Sequence, residues 1–287
     1  MEKIFVVIAT SLRRTSLLIN KSLKSVYSQK KINPYIINVI IVDDNRNKEE
    51  FIKVKREVSK LRRKFRLKNN QFRTYVIKNK KTRFNSGTGA WNTAIDFIYK
   101  KNKNSYIAFL DDDDWFNELY LYHLKNSIKK NNFIAIFSPI RWIFKNYYLD
   151  FKIDYKELKP REFFIRNPGV QASNMCFRVD ILKVIGGFDE NLSSTTDRDL
   201  MIRFLTYCIE NNINTDNIKI IDYLGVYYNA TNNNSVTKDL NKKHRGLDNF
   251  YKKYISIFSK KDLAISLKRA KRLFKYEKTI DYFNNLP

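Results

Sequence analysis

Cysteine is nearly absent: Cys176 and Cys208 are the only two in 287 residues. Two widely spaced thiols make neither a disulfide framework nor a zinc site, and they suit a reducing compartment. Glycine (7) and proline (5) are scarce, which excludes collagen-like and low-complexity chains. No long hydrophobic run exists. Ile4–Ala9 and Phe133–Phe137 are the longest apolar stretches, far short of the ~20 residues of a spanning helix. The N-terminal run is also too short for a secretory leader, and Arg13–Arg14 follow it without a small-residue cleavage pattern. The expectation is a cytoplasmic protein, with contact at the inner face of a membrane left open. Acidic residues are few, 29 against 55 Lys+Arg, for a net charge of +26. That excess admits a polyanionic partner. It equally admits a compositional bias, since Asn and Ile are abundant beside Lys.

What is abundant is core material: 43% hydrophobic and 15% aromatic residues, which excludes a disordered chain. Ile4–Ala9, Val39–Val42, Thr74–Ile77 and Tyr106–Leu110 read as strands, the first two as strands buried on both faces. Between them lie helix signals: Thr15, as cap, to Gln29; Lys48–Phe65, with Phe51, Val54, Val58, Leu61 and Phe65 in one stripe; and a loop-then-helix over Gly87–Tyr99. Repeated β-α-β units predict a sheet of parallel strands with helices on both faces. The second half predicts a strand at Phe133–Pro139 and an aromatic hairpin or lid at Phe144–Lys159. A loop with a short strand follows over Asn167–Phe177, then a short helix Val179–Ile185 stopped by Gly186-Gly187. Asp197–Glu210 is a helix, Ile218–Tyr228 a strand, and Lys242–Phe283 a basic helical tail.

In parallel sheets, ligands sit outside the carboxyl ends of the strands. Two strands here end in carboxylates, Asp43-Asp44 and Asp111–Asp114. Four adjacent aspartates repel one another unless a cation joins them. A hard divalent ion, Mn2+ or Mg2+, is the natural partner, bound through one or two carboxylates plus substrate phosphates. The plainer reading is a polar turn, with Asp114 capping a helix.

The chain resembles the family 2 glycosyltransferases, from about residue 3 to about residue 237. "FVVIATSLRRTSLLINKSLKSVYSQ" is similar to the family's first βα unit, and "VIIVDDNRNKEE" to its V-D-D-(G/N)-S segment. "NSGTGAWNTAI" is similar to N-x-G-x-x-x-A-R-N-x-G-I, and "YIAFLDDDDWF" to the strand end that carries D-x-D. "SNMCFRVDILKVIGGFDENL" and "TTDRDLMIRF" resemble the later G-G-F-D-E and E-D-x-D-L segments. The resemblance implies an α/β GT-A fold, Rossmann-like and nucleotide-sugar-binding, with a mixed sheet over 1–237 and a basic helical extension over 238–287.

It also implies roles. Thr10, Asp44 and Asn85 would face the nucleobase. Asp111 and Asp112 would approach the ribose and the metal, with Asp113 and Asp111 as metal ligands. Asp197 would be the general base of an inverting transfer from a nucleoside-diphosphate sugar, UDP-sugar favoured. The acceptor is a sugar, lipid-linked or peptide acceptor, in surface polysaccharide or glycoconjugate synthesis. The plainer reading of Asp197 is a helix cap. Three positions depart from the family pattern. Thr196 stands where a Glu precedes the base. Trp91 replaces an Arg, removing a positive contact to the nucleotide, and Asn232–Ser235 replaces His-x-x-Ser. A catalytically inactive nucleotide-sugar-binding relative and a basic nucleic-acid-binding protein are the competing classes; no helix-turn-helix, RRM or zinc-finger pattern supports the latter. In the tail, Leu263, Leu267, Ala270 and Phe274 form a stripe flanked by Lys and Arg. It would either lie on an anionic membrane or pack back on the domain.

Overall fold

The computed structural model describes residues 3–33, 36–68, 71–83, 86–231 and 239–284. A seven-stranded sheet organises the molecule. Its strands are β1 (Ile4–Thr10), β2 (Ile37–Asp43), β3 (Phe72–Lys78) and β4 (Tyr106–Asp111). A short β5 (Trp115–Phe116) belongs elsewhere; β6 (Ala135–Phe137) rejoins the sheet. Strands β7 (Ile140–Ile143) and β8 (Tyr148–Phe151) form a hairpin that starts before the expected Phe144–Lys159 and ends at Phe151, with a 3-10 turn at Tyr155–Glu157 in place of its second half, and β9 (Met175–Arg178), β10 (Ile218–Ile220) and β11 (Val226–Asn229) follow. The large sheet has the order β10-β6-β9-β4-β1-β2-β3, and a second sheet has the order β5-β11-β7-β8. Only β9 runs against its neighbours, β4 and β6, so the large sheet is mixed.

The strands alternate between two cores. Phe5 and Val7 of β1, Ile40 and Val42 of β2, and Ile107 and Phe109 of β4 face one cluster. Ile4, Val6, Ile8, Val39, Ile41, Ala108 and Leu110 face the other. Period-2 side chains with no polar face are what a sheet covered on both sides requires.

The helices are α1 (Thr15–Leu17), α2 (Leu23–Tyr27), α3 (Lys48–Lys64), α4 (Thr88–Lys101), α5 (Tyr120–Lys130) and α6 (Pro160–Ile165). Then come α7 (Val179–Val184), α8 (Thr196–Glu210), α9 (Leu240–Tyr254), α10 (Lys260–Phe274) and α11 (Ile280–Asn284). The first helix differs from the sequence expectation. A π-helical turn, Leu18–Ser22, separates α1 from α2, and the Ser22 hydroxyl donates back to the Leu18 carbonyl at 3.2 Å. Thr15 is a first-turn residue and caps nothing; the capping position is Arg14. The segment Ile218–Tyr228 is two strands in different sheets, because the chain leaves one at Ile220 and enters the other at Val226. Helices α5 and α6 are additional to the sequence reading. Helix α5 buries Tyr120, Leu121, Leu124 and Ile128 against the second core.

The tail packs inward. Leu247, Phe250, Tyr251 and Tyr254 of α9, with Leu263, Leu267 and Ala270 of α10, are buried in the first core. The tail stripe thus faces the protein and is covered, as the packing alternative had it. No helix among the described residues is long and apolar enough to cross a membrane.

Candidate active site

Chain order places the site. Strand β1 leads outward through β2 to β3, and the chain then returns to β4 on the other flank of β1. The crevice between the carboxyl ends of β1, β2 and β4 is the switch point of the topology. Register aligns those ends: Thr10 pairs with Asp43, and Ala9 with Asp111.

Thr10 joins both acidic groups. Its hydroxyl donates to Asp112 Oδ2 at 2.8 Å, and its carbonyl accepts from the Asp44 amide at 2.8 Å. Asn79 donates to Asp44 Oδ1 at 2.5 Å, which fixes the carboxylate. Arg83 donates to the Asn45 carbonyl at 2.6 Å and to the Asn79 carbonyl at 2.8 Å, locking the loop after β2. Asn85 lies outside the described residues, and so does Asn232–Ser235.

The four aspartates do different things. Asp112 is held by Arg14, whose Nε is 2.7 Å from Oδ1. The same guanidinium lies 3.0 Å from Asp113 Oδ1. Burial pushes Asp112 up to about 6, although Arg14 draws it down. Asp114 points the other way, which corrects its reading as a helix cap. Its Oδ2 accepts from the Ser173 hydroxyl at 2.6 Å and its Oδ1 from the Asn229 amide at 2.9 Å, so it ties the loop after β4 to the turn before β9 and to β11. Burial, and then Asp113, push it up to about 8. Asp111 is driven well above the usual carboxylate range by burial and by the other three aspartates, with Asp197 adding to them.

That last influence brings the candidate base to the same crevice. Asp197 stands in the first turn of α8, and the nearby Ala172 backbone amide favours its charged form. Burial pushes it up to about 7, against the field of Lys243. A short 3-10 turn, Ala172–Asn174, is the bridge between acid clusters. Its Ala172 amide favours the charged form of Asp197, while Ser173 accepts from the Asp111 amide at 3.0 Å and donates to Asp114. The residue before α8, Thr195, has φ of 63°, a strained value for a β-branched side chain. Ser193 and Ser194 brace it by donating to the Lys242 and Lys243 carbonyls, at 2.7 and 3.1 Å. Asp199 is not beside the base. It is fully buried, with Arg203 at 2.6 Å, Lys253 at 2.6 Å and the Tyr254 hydroxyl at 2.8 Å.

Sequence reasoning passed over Arg14, Ser173 and Lys243. Arg14 sits in the loop after β1, where its proximity to Asp112 comes only from folding. Lys243 belongs to a helix that carries no family pattern. Trp91 occupies core, packed 4.7 Å from the Phe188 ring and 5.8 Å from the Phe109 ring, so it leaves the nucleotide side to other groups.

Among the described residues, no three His, Cys, Asp or Glu side chains converge on a single point. A divalent ion here would take one or two carboxylates and complete its shell from a diphosphate. Asp111 and Asp113 fit that demand: hard oxygen donors, at a strand end, in a cluster whose mutual repulsion a cation relieves.

The family model described as Glycosyl transferase family 2 matches residues 6–186, more than half of the chain. A sequence search of curated proteins finds no match. Among solved structures, S. aureus TarS 1-349 in complex with UDP-GlcNAc is similar, with a TM-score of 0.60 and 15% identity, over 99% of this chain and 76% of that one. The longer S. aureus TarS structure gives 0.56 and 16% over 97% of this chain; the present chain spans 46% of it, under half its length. The mannosyltransferase PcManGT from Pyrobaculum calidifontis, in complex with GDP-Man and Mn2+, gives 0.54 and 13%, over 96% and 68% of the two chains. At these identities the likeness shows the fold, which is GT-A.

Proposed function

The chain belongs to glycosyl transferase family 2, and from that premise we propose that it is a metal-dependent inverting transferase. Its donor is a nucleoside-diphosphate sugar, UDP-sugar favoured, and its acceptor carries a hydroxyl. The observation that carries the reading is the meeting of three acid groups at one crevice. Asp44 and Asp111–Asp114 close the ends of β2 and β4, and the charge of Asp197 reaches Asp111 from α8.

The nucleobase would lie against Thr10 and Asp44, whose carboxylate accepts from an imide N–H. Asp112 would face the ribose, with Arg14 holding its carboxylate in place. Asp113 and Asp111 would hold a divalent ion, which when bound neutralises charge on the diphosphate leaving group. Asp197 would accept the proton of the acceptor hydroxyl. As it does so, the acceptor oxygen bonds to C1 and the C1–O bond to the diphosphate breaks, so the anomeric configuration inverts. A base with its pKa near 7 is matched to that work at neutral pH. The Mn2+ bound by PcManGT and the UDP-GlcNAc bound by TarS support the reading by analogy of fold.

The test is slow hydrolysis of a panel of nucleotide sugars, with Mn2+, with Mg2+ and with chelator. Metal-dependent release of one nucleoside diphosphate, with an inverted sugar product, is expected. Binding without release in any metal would leave a nucleotide-sugar-binding protein in its place.

A further inference from the structure

One cation already stands beside the acids that follow β4. Strand β1 ends at Thr10, and a turn closes after it, in which the Arg14 amide donates to the Ser11 carbonyl at 3.2 Å. Arg13 within that turn has φ of 65°, a left-handed value uncommon for a residue with a side chain. The Arg14 carbonyl accepts from the Leu18 amide at 3.0 Å, where the π-helical turn begins. This backbone delivers the Arg14 side chain to two carboxylates at once. Its Nε and Nη2 reach Asp112 Oδ1 at 2.7 and 2.5 Å, and Nη2 also lies 3.0 Å from Asp113 Oδ1.

The two ends of this contact differ. Asp112 is buried, takes two donors from Arg14, and has its other oxygen on the Thr10 hydroxyl at 2.8 Å. Asp113 takes one, at the longer distance, and its side chain is 12% exposed. Elsewhere the fold pairs arginine with aspartate one to one. Arg141 gives Nε and Nη2 to the two oxygens of Asp150, at 2.6 and 2.7 Å. Arg203 gives the same two atoms to Asp199 alone, at 3.0 and 2.6 Å. Arg14 instead spans two neighbouring carboxylates, which is the place of a bridging cation. Its guanidinium is charged at every working pH. A hard ion such as Mg2+ sits about 2.0–2.1 Å from its oxygen ligands. Sharing Asp113 Oδ1 with Arg14 would set two positive charges side by side, and they repel.

We propose that Arg14 is a resident cation of the metal site, exchanged at Asp113 for the divalent ion while its grip on Asp112 stays. The proposal rests on Asp113 as the metal ligand of the transfer reading. Without donor, Arg14 opposes the ion, so the ion alone binds weakly. A nucleoside diphosphate reverses the balance. Its oxygens complete the shell of the ion and give the freed guanidinium arm a new acceptor. Ion and nucleotide therefore strengthen each other's binding by the same factor.

The test measures Mn2+ binding to the full chain by electron paramagnetic resonance, at constant ionic strength, with and without UDP. The protein-free complex of UDP and Mn2+ is subtracted. UDP should tighten Mn2+ binding to the parent at least tenfold. Arg14→Gln should bind Mn2+ alone at least fivefold more tightly than the parent, and UDP should then add less. Arg14→Lys keeps a charge for Asp112 without the second arm, so it should also bind Mn2+ more tightly. It carries the expectation if Arg14→Gln shows no cooperative melt. Arg13→Gln removes a neighbouring charge and should leave Mn2+ affinity unchanged. Unchanged or weaker Mn2+ binding in the Arg14 variants would overturn the proposal and leave Arg14 as a brace for Asp112. Equal tightening in Arg13→Gln would overturn it too, as an effect of net charge. No Mn2+ binding by any of these chains would overturn both the exchange and Asp113 as ligand. Tighter binding in Arg14→Gln, in a protein that hydrolyses no nucleotide sugar, would keep the exchange and remove the transfer reading. Metal-dependent hydrolysis by the parent, with no gain of Mn2+ affinity in the variants, would do the reverse.

Discussion

The proposed base, Asp197, owes its proton affinity to its surroundings. Burial raises it to about 7 while the Lys243 charge works to lower it. The proton-accepting form is the ionised one. Donor turnover in the presence of acceptor should therefore rise with pH up to about 7 and level off above, read as a pH–rate profile. Asp197→Asn should lower turnover by about 10²–10⁴-fold, with donor affinity little changed. Asp113→Asn should abolish metal stimulation while the melting temperature holds, because an amide oxygen there can still accept from Arg14, 3.0 Å from Asp113 Oδ1; activity within severalfold of the parent in Mn2+ titrations would remove its assignment as ligand. At this scale the sequence was informative where chemistry forces clustering. Asp44 and Asp111–Asp113 stand out from the chain itself because buried strands that end in acids are costly without a purpose, whereas Asp197, in the first turn of α8, is picked out only by the family resemblance. Arg14, Ser173 and Lys243 do not stand out, since an isolated Arg, Ser or Lys is ordinary and only the fold brings these to the acids.

Elements tell a similar story with a different cause. Strands β1, β2 and β4 were legible because burial on both faces demands unbroken apolar runs. The break in α1–α2 was not, because a π-helical turn changes hydrogen-bond partners without changing the apolar stripe. Nor was the parting of β10 from β11, which depends on a close approach. A Cβ on Gly225 would stand 2.5 Å from the Ser138 hydroxyl oxygen and from the Tyr120 ring. The docking of α9 depends on a second such approach. A Cβ on Gly246 would lie 2.5 Å from the Ser194 amide nitrogen, in the loop that leads to Asp197. Gly246→Ala adds helix propensity of about 1 kcal/mol. Overpacking of about 1–3 kcal/mol opposes it, and a displacement on the order of 1 Å costs about 10²-fold in rate. The expected result is a lower melting temperature together with a larger fall in turnover. A raised melting temperature with full activity would mean that α9 does not brace the base.

Two properties belong to the whole molecule. The first is its response to pH. Asp112 and Asp114 have folded values of about 6 and about 8, above the ordinary 3.8 of the unfolded chain. Between those values the folded state holds protons that the unfolded state has released, so stability falls as pH rises from about 4 to about 8. Melting curves of the metal-free protein should shift to lower temperature from pH 5.5 to pH 8, and Mn2+ should restore the loss at pH 8. The second is the dependence of the core on its last helices. Seven side chains of α9 and α10, Leu247 to Ala270, are buried in the first core. Each apolar burial is worth about 1.5–3 kcal/mol as an upper estimate, and whole domains are stable by only about 5–15 kcal/mol. A chain that stops at Asp239 should lose its cooperative melt; retention of the parent melting temperature would contradict the packing. The charge excess of +26 gave no hint of this, because it says nothing about which helix faces inward.

The bracing of α8 by α9 also sets a timetable. A chain made from its N-terminus emerges at about 5–20 residues per second. The strands that end in Thr10, Asp43 and Asp111 are adjacent in the sheet and come early. Helix α8 follows, but Thr195 at its start keeps a strained backbone, and the carbonyls that accept from Ser193 and Ser194 belong to residues 242 and 243. Lys253, the partner that neutralises Asp199, comes later still. The residues of the proposed donor crevice are thus made before the carbonyls that fix the start of α8, which carries the proposed proton acceptor. Newly synthesised molecules would be silent until their closing helices dock, and would then become competent in a single step.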